Sequence, residues 1–353
     1  MKSQTIASMT LAAAMAVTLT ACGPSEPVDE DRPGSEPADE TTGEGSTEYP
    51  LTVENCGREV TVEAPPTRVV SLDQNSTEIL LSLGLEDRLI GTASWTDPVL
   101  PALAEAEEDV PRLSDDAPTY EVVLDADPDF ITASFGRHFA LEGGVASRER
   151  FDETGMESYL SPTDCEDGTS INGGGTRTRM LEIDTLYTEI HELAAIFDVP
   201  SRGEALVADL EERAEDALDG VDADGATVAF WFADTRTPYM AGAYGSAARL
   251  AEMSGMENVL DDAADDWPAV GWETIVERDP DVLVLGDLQR ARFPGDLLED
   301  KIEFLTADPL ARTLDAVEDQ EYIALHGAEM NPSIRFVDGL EKIGEFWKER
   351  DAE

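Results

Sequence analysis

Four arginines, Arg137, Arg290, Arg292 and Arg335, stand where a guanidinium could meet an anion. The chain has 353 residues and 24 Lys+Arg against 77 Asp+Glu, a net charge of −53, so any positive pocket must be built locally. Arginine builds one through charge-assisted, often bidentate hydrogen bonds. Each of the four could equally neutralise a surface carboxylate. Aromatic residues gather in similar segments: Trp95, Phe135, Trp231, Tyr239, Tyr244, Trp267 and Trp272. Flat apolar side chains line small-molecule sites, and by type alone each also suits a core.

Other chemistries find less support. His138, His191 and His326 are scattered, with no His, Cys or carboxylate at metal-ligand spacing, so neither a direct metal site nor a resident cofactor is expected. The motifs Gly-x-Ser-x-Gly, His-Glu-x-x-His and Ser-x-x-Lys do not occur, which leaves an exported hydrolase as the alternative of a different class, without motif support. Nucleic-acid binding needs Lys/Arg patches that this composition denies. Lysine occurs only at positions 2, 301, 342 and 348. The acidic surface fits either adaptation to salt, which screens self-repulsion, or an ordinary acidic exported surface.

The scaffold reads as α/β. Short β-branched runs at 68–72, 89–93, 130–134, 227–232 and 282–285 alternate with helical patterns at 73–83, 178–197, 201–218 and 333–347. In open α/β sheets, ligands bind outside the carboxyl ends of the strands. That rule selects the loops 73–75, 94–95, 135–138, 234–244 and 287–292, with 267–272 leading into a helix. Asn75, Trp95, Phe135, Arg137, Trp231, Tyr239, Tyr244, Trp272, Arg290 and Arg335 are the candidate ligand contacts. Ser246 is expected to cap a helix, and such an N-terminus can seat an anion.

An internal echo divides the folded part in two. Glu121 is followed by an apolar helical turn and then Asp127-Pro128-Asp129 and a strand; Glu273 is followed likewise by Asp279-Pro280-Asp281 and a strand. Upstream of each, Gly84 and Gly255 end a helical pattern. Two related lobes joined by a helical connector follow.

The N-terminus is an address. Lys2, an apolar stretch at 11–19 and Leu19-Thr20-Ala21-Cys22 resemble the bacterial lipobox, in which the cysteine carries lipid. Residues 1–21 are then a signal peptide. Residues 22–48, rich in Pro, Gly, Ser, Thr and acid, are an anchor and disordered tether. Export permits disulfides, and Cys56 and Cys165, the cysteines left after lipidation, are expected to pair.

Several motifs together carry a family resemblance: Arg68-Val-Val-Ser-Leu72, Thr77-Glu-Ile-Leu-Leu81 with Gly84, Glu121 with Pro128-Asp129, Gly255 with Asn258-Val259, Glu273 with Pro280-Asp281, and Pro332-Ser-Ile-Arg335. Over residues 51–346 the chain resembles the substrate-binding lipoproteins of ABC importers for ferric siderophores, haem and cobalamin. The resemblance implies two Rossmann-like lobes bridged by one long rigid helix, with a ligand cleft between them. The lobes would be residues 49–177 and 221–353, and the connector 178–220. It also implies a binding protein and not an enzyme, a monomer held to the membrane only by its lipid, and an ABC permease as partner docked through Glu121 and Glu273. The ligand it implies first is a ferric siderophore-type chelate. A corrinoid, haem or a deazaflavin-coenzyme precursor are the alternatives.

Overall fold

The computed structural model describes residues 46–350. The signal peptide, Cys22 and the tether up to residue 45 lie outside the described residues.

Two parallel-stranded sheets form the frame. The first has the order Arg112–Ser114, Leu89–Ala93, Val69–Ser71, Phe130–Ala133, Glu157–Leu160, every pair parallel. The second runs Tyr239–Met240, Thr227–Ala233, Val282–Asp287, Tyr322–His326. Its central pairs are parallel and Tyr239–Met240 is antiparallel. The central strands are buried on both faces, Val69–Ser71 and Phe130–Ala133 throughout and Val282–Asp287 through its first five residues. Continuous apolar runs belong in parallel sheets covered by helices on both sides.

The helix Pro200–Leu218 joins the lobes. Its 19 residues span roughly 28 Å at 1.5 Å per residue. Proline at its first position costs nothing, because that N–H has no helical acceptor. Gly203, Val207, Leu210, Ala214 and Ala217 are buried along one stripe. Near its start, Arg202 Nη1 donates to the carbonyls of Leu83 (3.1 Å) and Gly84 (3.0 Å) in the first lobe. Near its end, Arg213 is held by Asp338 and Glu341 of the C-terminal helix Phe336–Arg350. Each end is thus fastened to a different lobe.

The repeat is visible atom by atom. Asp129 accepts from the backbone N–H and hydroxyl of Thr67 (both 2.9 Å), and Asp281 accepts from the same two groups of Thr227 (2.8 and 2.7 Å). Each aspartate therefore clasps the entry to its lobe's first strand. Gly84 (φ 67°) and Gly255 (φ 74°) leave a helix in the left-handed conformation, which glycine adopts without a Cβ clash.

Two expectations change. The helix expected at 178–197 begins only at Asp184. The residues before it are drawn out between lobes, with Thr178 N–H bonded to Glu166 and Leu181 N–H to the Tyr244 carbonyl. Ser246 does not cap its helix: Gly245 holds that position, and the Ser246 hydroxyl donates to the Met330 carbonyl. Cys56 and Cys165 are disulfide-bonded, with Cα atoms 5.7 Å apart and a sequence separation of 109. The bond ties the turn of the entry hairpin Leu51–Glu54/Glu59–Val62 to the segment after Glu157–Leu160.

Candidate functional site

A cleft of about 480 Å³ opens where the carboxyl ends of both sheets face each other. This volume lies in the range of small-molecule sites. The first lobe contributes Asn75, Ser94, Trp95, Ser134, Phe135 and Arg137, among others; the second contributes Phe232, Trp267, Arg290 and Arg292.

The helix Gln74–Ser82 brings Asn75 to the wall. Its cap is Asp73, whose carboxylate accepts from the N–H groups of Ser76 (3.0 Å) and Ser134 (2.7 Å), locking the helix start to the end of Phe130–Ala133. Beyond that strand, Arg137 lies with its guanidinium carbon 4.0 Å from the centre of the Phe135 ring. Its surface is open to the cleft, yet the surrounding walls lower its pKa by desolvation; Asp73 and Asp164 oppose this and Arg290 adds to it. The Arg137 side chain makes no hydrogen bond or ion pair among the described residues. His138 beside it is 3% exposed, and burial lowers its pKa to about 4, with Asp73 opposing and Arg137 reinforcing. It is therefore a neutral imidazole at physiological pH.

The remaining cleft arginines are occupied. Arg177 donates through Nε to Asp266 (2.9 and 3.1 Å) and through Nη2 to the Thr163 carbonyl (2.6 Å), bridging the lobes. Arg290 makes a two-pronged pair with Asp296, at 3.1 Å for each contact. Arg292 crosses to the first lobe, pairing with Asp116 and donating to the Asp115 carbonyl (3.0 Å).

Of the expected contacts, Asn75, Trp95, Phe135, Arg137 and Arg290 line the cleft, and five do not. Trp231 is fully buried, its ring 4.8 Å from Trp272 and its indole N–H donating to the carbonyls of Ala233 and Asp234. Trp272 is buried with it, and its N–H donates to the Thr235 carbonyl (3.2 Å). Tyr239 is exposed on the edge strand, and Tyr244 is half-buried at the inter-lobe crossing. Arg335 is 4% exposed and bound bidentately to the fully buried Glu78, with a further bond to the Pro98 carbonyl. Within the Pro-Ser-Ile-Arg motif, Pro332 reaches the cleft while the arginine turns away to stitch the lobes.

Sequence reading missed Phe232, Thr163, Asp164, Arg177 and Asp266 as cleft residues. Successive strand side chains point to opposite faces, so choosing Trp231 for the wall placed Phe232 in the core, the reverse of what is observed. Arg177 offered no local signal, since its partners Thr163 and Asp266 lie 14 and 89 residues away.

Glu121 and Glu273 occupy the same place in the two lobes. Each is exposed and second in its helix, and its side chain makes no hydrogen bond or ion pair among the described residues. Among the described residues, no group of three or more His, Cys or carboxylate side chains could hold a metal ion, and no helix is long and apolar enough to cross a membrane.

Two α/β lobes, a helical bridge fastened at both ends and a cleft between the lobes define a two-lobed small-molecule binding protein. The chain belongs to the periplasmic binding protein family, whose model matches residues 69–328. A periplasmic binding protein from Veillonella parvula superimposes with a TM-score of 0.71 at 24% identity, covering 84% of this chain and 96% of the other. A protein from Saccharomonospora viridis, described as an ABC-type Fe3+-hydroxamate transport system, gives 0.70 at 25%, covering 85% and 99%. The vitamin B12-binding protein of Vibrio campbellii is 22% identical over 220 residues, 62% of this chain and 70% of the relative. The protein is accordingly an extracytoplasmic substrate-binding component of the ABC-transporter type, with a permease and a small molecule as partners, and it is not an enzyme.

Proposed function

We propose that the chain captures a ferric siderophore-type chelate and delivers it to its permease, docking through Glu121 and Glu273. It acts as a monomer, held to the outer face of the cell membrane by lipid on Cys22. The observation that carries this reading is Arg137, a cation in the cleft wall that forms no ion pair among the described residues and lies over the Phe135 ring. Such a wall suits an anionic, acceptor-rich ligand. The glutamates support docking because they repeat, one per lobe. A pseudo-twofold protein placed on a twofold channel needs a matched pair of contacts.

The test is the absorption and mass spectrum of whatever co-purifies, followed by titration of stripped protein with ferric chelates. Tryptophan fluorescence should quench, because Trp95 and Trp267 line the cleft. A protein that carries no iron chelate from cells, and whose fluorescence ignores every chelate added, would sink the proposal. A corrinoid is the second reading, favoured by the B12-binding relative, and its distinct visible spectrum separates the two in the same measurement.

A further inference from the structure

The turn that presents Arg137 has open space on two sides. Phe135, Arg137 and His138 line the cleft. Gly136, Phe139 and Ala140, interleaved with them in sequence, line a second hollow of about 260 Å³. Its ends are fixed: Asp73 binds the Ser134 N–H (2.7 Å), and the Phe139 ring meets Phe151 edge-on, with centroids 6.1 Å apart. Between those ends the Gly136 N–H donates to Asp164 Oδ2 (3.0 Å). Asp164 is 2% exposed, and its other bonds hold it rigidly. Ser170 Oγ donates to the same oxygen, and Asn172 donates to Oδ1 through its N–H (3.1 Å) and its side-chain amide. The fit leaves no room, since a Cβ at Gly136 would stand 1.8 Å from Ser170 Oγ and 2.7 Å from Asp164 Oδ2.

Asp164 is itself gripped from both directions along the chain. Before it, the Leu160 N–H donates to Asn55 Oδ1 (2.9 Å), and Asn55 Nδ2 donates to the Leu160 carbonyl (2.8 Å). After it, Cys165 is bonded to Cys56, the neighbour of Asn55. We propose that Asp164 is a positioning residue of the binding cleft, and that the Cys56–Cys165 bond serves binding through it. By holding the Gly136 N–H, the carboxylate sets the place of Phe135 and Arg137 on either side, and the disulfide keeps the carboxylate in register. Its charge has a second effect: desolvation lowers the Arg137 pKa, and Asp164 opposes this together with Asp73. All this requires only that the cleft is the binding site, whichever small molecule fills it.

The test has two arms, both on the full chain. The first follows amide hydrogen exchange by NMR without added ligand, in residues 134–140 and, as internal control, in 286–296. Ser170→Ala, and separately Cys56→Ser with Cys165→Ser, should speed exchange at the Gly136 amide about tenfold, as expected for loosening one hydrogen bond to a carboxylate, and spare the control. The second arm titrates a ferric tris-hydroxamate, a ferric tris-catecholate and cyanocobalamin by tryptophan fluorescence and carries the tightest into the variants. Asp164→Ala should weaken its binding about tenfold, and Asp164→Asn less, because the amide oxygen still accepts from Gly136. Ser170→Ala and Gly136→Ala should weaken it as well, although both residues border the second hollow and not the cleft. Unchanged exchange at Gly136 in the Ser170→Ala protein overturns the proposal, as does exchange that rises equally in the control. So does full affinity in both Ser170→Ala and Gly136→Ala, which would leave Asp164 acting only by touching the bound probe. If the wild type binds none of the three probes, the chelate and corrinoid readings fail, and the exchange arm decides the positioning role.

Discussion

In the first lobe, the loop after Phe130–Ala133 carries Ser134, Arg137 and His138, whose side chains make no hydrogen bond among the described residues. In the second, the loop after Val282–Asp287 is closed on itself. Asp296 there accepts from the Arg290 side chain and from the N–H groups of Arg292 and Phe293. Lys301, fully buried, points its ammonium at the carbonyls of Gly286, Gly295 and Asp296, and burial lowers its pKa to about 8. The lobes otherwise share a frame down to the Thr67–Asp129 and Thr227–Asp281 clasps. The difference is therefore local to the cleft: the arginines of one wall are paired, and the other leaves Arg137 and several buried polar atoms without a hydrogen bond among the described residues.

The largest effect is expected where the lobes are alike. Glu121→Ala combined with Glu273→Ala should abolish cellular uptake while leaving ligand affinity and melting temperature nearly unchanged. Each single variant should lose only part of uptake. Full uptake by the double variant at normal expression would show that the shared position is a helix-end carboxylate and nothing more.

The next effect belongs to one lobe alone. Among the described residues the disulfide is in the first lobe, and it closes a loop of 109 positions. In the chain-entropy model, cutting it costs about 4–5 kcal/mol, an upper value. Urea unfolding with and without reductant should show the loss. The first lobe should open first by hydrogen exchange, and uniform loosening would count against a lobe-specific role.

Arg335→Ala tests the stitch between the lobes. It strands the Glu78 carboxylate in a buried site, which typically costs about 3–5 kcal/mol. The variant should unfold at lower urea with weakened binding, and Glu78→Gln with Arg335→Met should recover much of the stability. A stable Arg335→Ala protein with selectively lost affinity would return this arginine to the cleft.

The smallest effect is a pH slope. Glu189, on the helix Asp184–Ile196 beneath the first lobe's cleft wall, is 1% exposed and accepts from Ser161 Oγ; burial raises its pKa to about 8. Between its unfolded value near 4.5 and about 8, the folded protein holds a proton that the unfolded chain has released. Stability from this group therefore falls as pH rises through that window, by about 1.4 kcal/mol per unit where the difference is a full proton. Glu189→Gln should flatten the urea midpoint between pH 6 and 7 relative to wild type; parallel profiles would refute the assignment.

Much of the frame was legible because its signals are local. Asp73 caps the helix that its spacing announced, and the Asp-Pro-Asp echo marked both lobes. The cleft was harder, for three physical reasons. Trp231 and Phe232 differ only in which face of one strand they occupy, and an apolar strand covered on both sides gives no alternation to read. Arg335 has a partner 257 positions away, so its burial was invisible in sequence. Tyr239 lies on the edge strand and Tyr244 in the loop after it, and both fall outside the cleft, a matter of chain path and not of residue type.

The bridging helix has a consequence for the lifetime of the complex. A column pinned by Arg202 at one end and Arg213 at the other resists swinging, and the buried Arg335–Glu78 pair ties the lobes a second time. A bound molecule therefore leaves by the parting of small rim contacts, such as Arg292 with Asp116, more than by wide separation of the lobes. Residence time becomes a property of the rim, set by exposed charges that salt screens, and the strut sets a constant distance between the two outward glutamates whether the cleft is full or empty.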